Sequence, residues 1–251
     1  MIILLVCSYN CLHSPMYLFL ANLSLLEIML TSVTPKMLAV TISQINTISF
    51  EDCITQSFFY FLFVTIEFLI LAIMSFDYYV AICIPFRYPT IMRIQVCLKM
   101  IMDSWVGRLL YDLLPSIVTI KLPFCGPNVM DHFFCDTAPM LKLFCGDLHL
   151  VESSSPSELS SELSLLYPDP LCLHCVYHVR MPSAQGKWKA FSTCASHMIV
   201  VTMFYGVSIF LYAQPSKGNV LSFNKLGTIL STIVTPLLNT FIYTLRNQIV
   251  L

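Results

Sequence analysis

The sequence predicts an all-α fold, a bundle of helices that cross a lipid bilayer. Three observations carry that prediction. Hydrophobic residues make up 57% of the 251 and charged residues only 11%, whereas an average soluble domain is about 25% charged. Phe58 to Met74 is a nearly continuous apolar run, broken only by Thr65 and Glu67. About 20 such residues let a helix cross roughly 30 Å of hydrocarbon. Finally, apolar stretches of this kind recur along the chain between short polar joints. The net charge of −1 leaves no basic stripe to neutralise phosphates, so the expected surrounding is lipid and not nucleic acid. Eighteen Phe and twelve Tyr supply bulk for packing and anchoring at the membrane interface.

Taken in order, residues 1–9 are read as a partial first span. Met1–Val6 is apolar but has neither a basic leader nor a small-residue cleavage site, so it is not read as a signal peptide. The second span is 16–42, with Pro15 before it and Pro35 inside it; a membrane helix tolerates such a kink where neighbours satisfy the freed carbonyl. The third is 54–84, ending in the polar cluster Asp77-Tyr78-Tyr79 where the helix meets water. A loop with Arg87 and Arg93 leads to a fourth span, 97–120. Arg108 and Asp112 lie four apart in it and are placed to pair on one helix face. Residues 121–150 form a long, cysteine-bearing loop.

Residues 158–180 stand where a fifth span is required, but the tract is degenerate. Asp147, Glu152, Glu158, Glu162 and Asp169 fall close together with no Lys or Arg among them, and Pro168 and Pro170 interrupt the apolar residues. Each ionised carboxylate at the bilayer centre costs about 2.5–3.5 kcal/mol, so stable insertion is not expected. The last two spans are 188–212 and 221–245. Arg87, Arg93, Lys99, Arg180, Lys187, Lys189 and Arg246 fall on one side of these spans, and Lys121, Lys142, Lys217 and Lys225 on the other. The excess puts the 84–96 loop in the cytoplasm and the 121–150 loop outside.

Four stretches carry a family resemblance: Pro15-Met16-Tyr17-Leu18-Phe19-Leu20; Met74-Ser75-Phe76-Asp77 with Tyr79-Val80-Ala81-Ile82-Cys83; Lys189-Ala190-Phe191-Ser192-Thr193-Cys194-Ala195-Ser196-His197; and Pro236-Leu237-Leu238-Asn239 with Ile242-Tyr243. Long, in order and spread over nearly the whole chain, they resemble the vertebrate olfactory receptors. The resemblance implies a rhodopsin-like seven-transmembrane bundle, here with its first helix truncated and its fifth degenerate. It also implies a multi-pass plasma-membrane receptor for small hydrophobic odorants that signals through a stimulatory heterotrimeric G protein, with no cofactor.

The same resemblance implies site residues. Spacing alone fixes no pairing among Cys125, Cys135 and Cys145; the resemblance implies Cys53–Cys135 and Cys125–Cys145 disulfides. Glu27 and Glu67 lie inside apolar spans, where acids usually face the bundle interior. Their positions resemble an acidic pair that, with Asn239, holds a proton or a sodium ion; protonated glutamates bonded to backbone fit equally. The implied odorant site takes Tyr60, Phe61, Val64 and Thr65 from the third helix, Tyr205, Ser208, Ile209 and Tyr212 from the sixth, and Ile229 and Thr232 from the seventh. These residues form helical stripes, and core packing explains any one of them as well. The coupling switch is implied at Asp77, Tyr78, Tyr79, Asn239 and Tyr243.

Several departures predict impaired coupling. The family's Asp-Arg-Tyr is here Asp77-Tyr78-Tyr79, and tyrosine lacks the charge and donors of arginine. Its Asn-Pro pair is here Asn239-Thr240, which removes a helix break. The tract from Val151 to about Met181 resembles a shifted reading frame, so a pseudogene-like, non-signalling membrane remnant retained in the endoplasmic reticulum is the alternative. The sequon Asn22-Leu23-Ser24 lies inside a span, out of reach of glycosylation. Cys172, Cys175, His174 and His178 form a lone CxxC group too weak to predict a metal. No nucleophile–base–orienter set suggests an enzyme, and no inverted repeat suggests a transporter.

Overall fold

The computed structural model describes residues 15–33, 47–121, 123, 135, 140, 143 and 194–207. The elements among them are helical: α1 (Pro15–Val33), α2 (Phe50–Cys83), a 3₁₀ turn (Pro85–Arg87), α3 (Tyr88–Ile91), α4 (Ile94–Lys121) and α5 (Cys194–Val207). The expected first-helix fragment, the degenerate 158–180 tract and the 221–245 span lie outside the described residues. Both α1 and α2 are long and apolar enough to cross a membrane.

Helix α2 organises the rest. Ser49 caps it by accepting a hydrogen bond from the Asp52 backbone N–H at 3.2 Å, and Glu51 and Asp52 put negative charge in its first turn, where the helix dipole favours it. Its 34 residues give a rod of roughly 50 Å, longer than the hydrocarbon is thick. It stops where Ile84 precedes Pro85, because the proline ring disfavours α conformation in the residue before it. The Ile84 N–H still reaches the Val80 carbonyl at 3.1 Å.

The core lies between α1, α2, α4 and α5. Phe19 and Leu26 of α1 and Ile66, Ile70 and Leu71 of α2 are fully enclosed, and Val200, Val201, Phe204 and Tyr205 of α5 join the same cluster. Polar links tie the helices where lipid offers none. The Trp105 Nε1–H of α4 donates to Asn22 Oδ1 of α1 at 3.3 Å, and Gln56 Nε2 of α2 donates to the Val33 carbonyl at the end of α1 at 3.4 Å. Buried hydroxyls turn back onto their own helices, as Ser104 does to the Met100 carbonyl at 2.8 Å, which keeps them satisfied away from water.

Helix α4 combines an apolar outer face with a charged pair. Met102, Leu110, Leu114 and Ile120 are exposed, as suits a lipid contact. Arg108 and Asp112 form a two-pronged ion pair, Nη2–Oδ1 2.7 Å and Nε–Oδ2 3.1 Å, and the guanidinium lies 4.5 Å from the Tyr111 ring centre. Each charge thus finds its partner within one helix turn.

Candidate functional site

The expected functional residues on α2 fall at three levels. At its Phe50 end, Cys53 is joined to Cys135 by a disulfide with Cα atoms 5.4 Å apart. Both cysteines are buried with Ile54 and Met140, which anchors the loop chain to the helix. The Cys125–Cys145 pair expected beside it lies outside the described residues.

The middle level holds the α2 part of the expected ligand stripe. Tyr60 and Thr65 are buried, and Phe61 and Val64 are half-buried against the core cluster. The Thr65 hydroxyl donates to the carbonyls of Phe61 and Leu62 at 2.7 and 3.0 Å. From α5, Tyr205 is buried, donates its hydroxyl to the Phe68 carbonyl at 3.3 Å and sets its ring against the edge of Phe68 at 4.8 Å. Phe204 meets the same Phe68 ring at 4.5 Å. Edge-to-face pairs of this kind contribute about 0.5–1.5 kcal/mol beyond area burial, so Phe68 is the joint between α2 and α5. Ser208, Ile209, Tyr212, Ile229 and Thr232 lie outside the described residues. Glu67, 0% exposed, sits one position before this joint, and Glu27 is buried in α1. Asn239, expected to complete that acidic site, lies outside the described residues.

At the Cys83 end the structure separates residues that adjoin in sequence. Asp77 is buried and accepts a hydrogen bond from the Tyr88 hydroxyl of α3 at 2.9 Å. Burial, and then the nearby Asp77 carboxylate, push the Tyr88 phenol above its ordinary range, so it remains a donor at neutral pH. Tyr78 turns inward instead: it is 8% exposed, its hydroxyl points to Met16 Sδ at 3.7 Å, and its ring lies 4.9 Å from that of His197. Tyr79 is half-buried with its ring stacked on Phe76. The 3₁₀ turn beyond carries Phe86, 99% exposed, beside exposed Arg87. Asn239 and Tyr243, the other expected switch residues, lie outside the described residues.

Sequence reasoning missed three members of this level. His197 and Ser75 stand out in the sequence only as letters of longer motifs, and Tyr88 as a loop aromatic. A cue was available for Tyr88, since Asp77 at a helix end calls for a donor, but no rule of spacing selects that one. Among the described residues no cluster of His, Cys, Asp and Glu is placed to hold a metal ion.

A sequence profile of the family described as olfactory receptor matches residues 1–250. Human olfactory receptor 6J1 is 48% identical over 256 aligned positions, spanning 100% of this chain and 73% of its own length. Mouse olfactory receptor 6E1 is 47% identical, spanning 94% of this chain and 77% of its own, and human olfactory receptor 6T1 is 47% identical with 94% and 75% covered. Among solved structures, squid rhodopsin superposes with a TM-score of 0.70 over 98% of this chain and 76% of its own, at 15% identity, a likeness of fold.

Proposed function

This chain belongs to the olfactory receptor family of rhodopsin-like receptors, and on that footing we propose that it takes a small, hydrophobic, volatile ligand beside the Phe68–Tyr205 joint. Tyr60, Phe61 and Val64 are the proposed ligand contacts on α2, and Ser208, Ile209, Tyr212, Ile229 and Thr232 are proposed with them from their positions in the sequence. Because the Thr65 hydroxyl is already engaged by backbone, Thr65 offers its methyl group. A mostly apolar lining with few free hydroxyls suits a weakly polar odorant. We further propose that Glu27 and Glu67, together with Asn239, hold a proton or a sodium ion.

The chain is a receptor of the multi-pass membrane class and not an enzyme. We assign its output to a stimulatory G protein bound at the cytoplasmic end that carries Asp77, Tyr88 and the exposed Phe86, and we propose that this coupling is weak. The inward packing of Tyr78 supports that reading best. The residue in the coupling arginine's place is neutral and turned into the bundle, where it presents no guanidinium to a partner. The decisive measurement is odorant-evoked cAMP from this sequence in transfected cells, screened with volatile ligands, alongside surface labelling of a tagged chain. Surface display with little or no cAMP fits the proposal, and a robust response overturns the weak coupling. A second reading, a non-signalling remnant held in the endoplasmic reticulum, draws on the acidic tract 147–169 and predicts no surface label.

A further inference from the structure

Arg108 and Asp112 lie on the inward side of α4. The buried residues of that helix are Cys97, Ile101, Ser104 and Thr119. Steps of three, four or seven residues carry one helix face from Cys97 through Ile101, Ser104, Arg108 and Asp112 to Thr119. Both charged side chains are 12% exposed, whereas Leu110 and Leu114 on the outward side are 65% and 66% exposed. Helix α4 begins soon after α2 ends, so the two run in opposite directions. The Phe63 and Trp105 rings, 6.3 Å apart, mark where they meet. One turn onward from that contact, Tyr60 stands on α2 and Arg108 on α4, at the level of the proposed ligand contacts.

Donor accounting shows what the pair offers there. A guanidinium carries five N–H groups, and Arg108 gives two of them to the Asp112 oxygens, from Nη2 at 2.7 Å and Nε at 3.1 Å. Tyr111 covers one face of the group at 4.5 Å. The far edge keeps its remaining N–H groups with no acceptor among the described residues. Both Asp112 oxygens are engaged, so that edge presents donors, on a dyad whose net charge is zero. We propose that Arg108, held in place by Asp112, donates to the carbonyl oxygen of the ligand, and so selects small ketones, aldehydes and esters. The assignment deepens the odorant reading and rests on it. A carboxylate would meet Asp112 as a like charge beside a guanidinium already neutralised. An alcohol would bring an O–H of its own to an edge made of donors and leave it unpaired, and an alkane would leave the Arg108 donors unpaired. Arg108 is the ligand contact and Asp112 a positioning residue.

The test is calorimetric binding to the full chain in lipid nanodiscs, with empty nanodiscs subtracted. The probes are hexyl methyl ketone, the alcohol of the same skeleton, octanoate and octane. The ketone should bind about tenfold more tightly than octane, the step that one hydrogen bond from a charged donor supplies, with the alcohol and octanoate also below the ketone. The double variant Arg108→Met with Asp112→Leu removes both charges together, so neither is left buried and unpaired. It should lose that tenfold advantage while its affinity for octane stays the same. In infrared difference spectra the carbonyl stretch of the bound ketone should fall to lower frequency in the unaltered chain and return in the double variant. Equal binding of ketone and octane to the unaltered chain overturns the carbonyl assignment and leaves the apolar ligand site standing. So does a loss of ketone affinity in the double variant without the infrared change, because that reports a structural role alone. Failure of all the probes to bind the unaltered chain overturns the ligand reading itself, and the carbonyl assignment with it.

Discussion

The two ends of α2 are held by different chemistry. At the Phe50 end a covalent bond joins Cys53 to Cys135, and Gln56 ties the helix to the last turn of α1. At the Cys83 end the attachments are Tyr88 on Asp77, Tyr78 on His197 and Met16, and His197 on Ser75, each a contact that forms and breaks without covalent change. Between them the Phe68–Phe204–Tyr205 rings join α2 to α5. The Cys83 end can therefore repack while the covalent bond at the Phe50 end stays intact.

The largest expected effect comes from erasing the difference between the ends. Cys135→Ala should destabilise the protein by about 2–4 kcal/mol, seen as a lower thermal midpoint in detergent and reduced surface label. Adding Cys53→Ala should cost little more, since the bond is already gone. Next is Tyr78→Arg, which returns the family's residue to a position now closed over His197. Placing a guanidinium there should destabilise by about 2 kcal/mol, below the figure for a charge at the bilayer centre because this site is near the helix end. The substitution alone should leave odorant-evoked cAMP low; full signalling from the single variant would show that Tyr78 is the sole obstacle.

Smaller again is Tyr88→Phe, which removes the donor to Asp77 and should lower stability by about 1–2 kcal/mol. Its pH dependence has a definite sign. The Tyr88 phenol is raised above its ordinary 10.0 in the folded chain, so folding favours the protonated form, and that contribution is complete below the ordinary value and lost as pH climbs through the raised one. The gap between unaltered and Tyr88→Phe midpoints should therefore hold from pH 7 to about 10 and narrow above; a gap that narrows between pH 7 and 9 contradicts the assignment. The smallest effect is Gln56→Ala, about 0.5 kcal/mol for one long side chain–backbone bond, read as a slight midpoint loss with the disulfide intact.

How much of this was legible in the sequence varies with the reach of each interaction. The Arg108–Asp112 pair was, because four residues on a helix fix two side chains on one face whatever packs nearby. The helices at Pro15–Val33, Phe50–Cys83 and Ile94–Lys121 follow apolar runs and Pro punctuation. The Cys53–Cys135 bond came from the family resemblance, since cysteine spacing leaves the pairing open. Asp77 was read as a switch residue, but its partner was not, and Tyr78 was noted for the arginine it replaces with no indication of where its ring would go.

The sequence by itself therefore determined the solvent, the helices and the ancestry. Composition chooses lipid, apolar length and proline choose the spans, and long ordered motifs choose the family. Tertiary structure alone decided which side chains meet: Trp105 with Asn22, Tyr205 with Phe68, and His197 with Ser75 beneath Tyr78. Those partners are 83, 137 and 122 residues apart in the chain. No local periodicity encodes such a pairing. It is set by how whole helices rotate and slide against one another until buried polar groups find donors and the rings find faces.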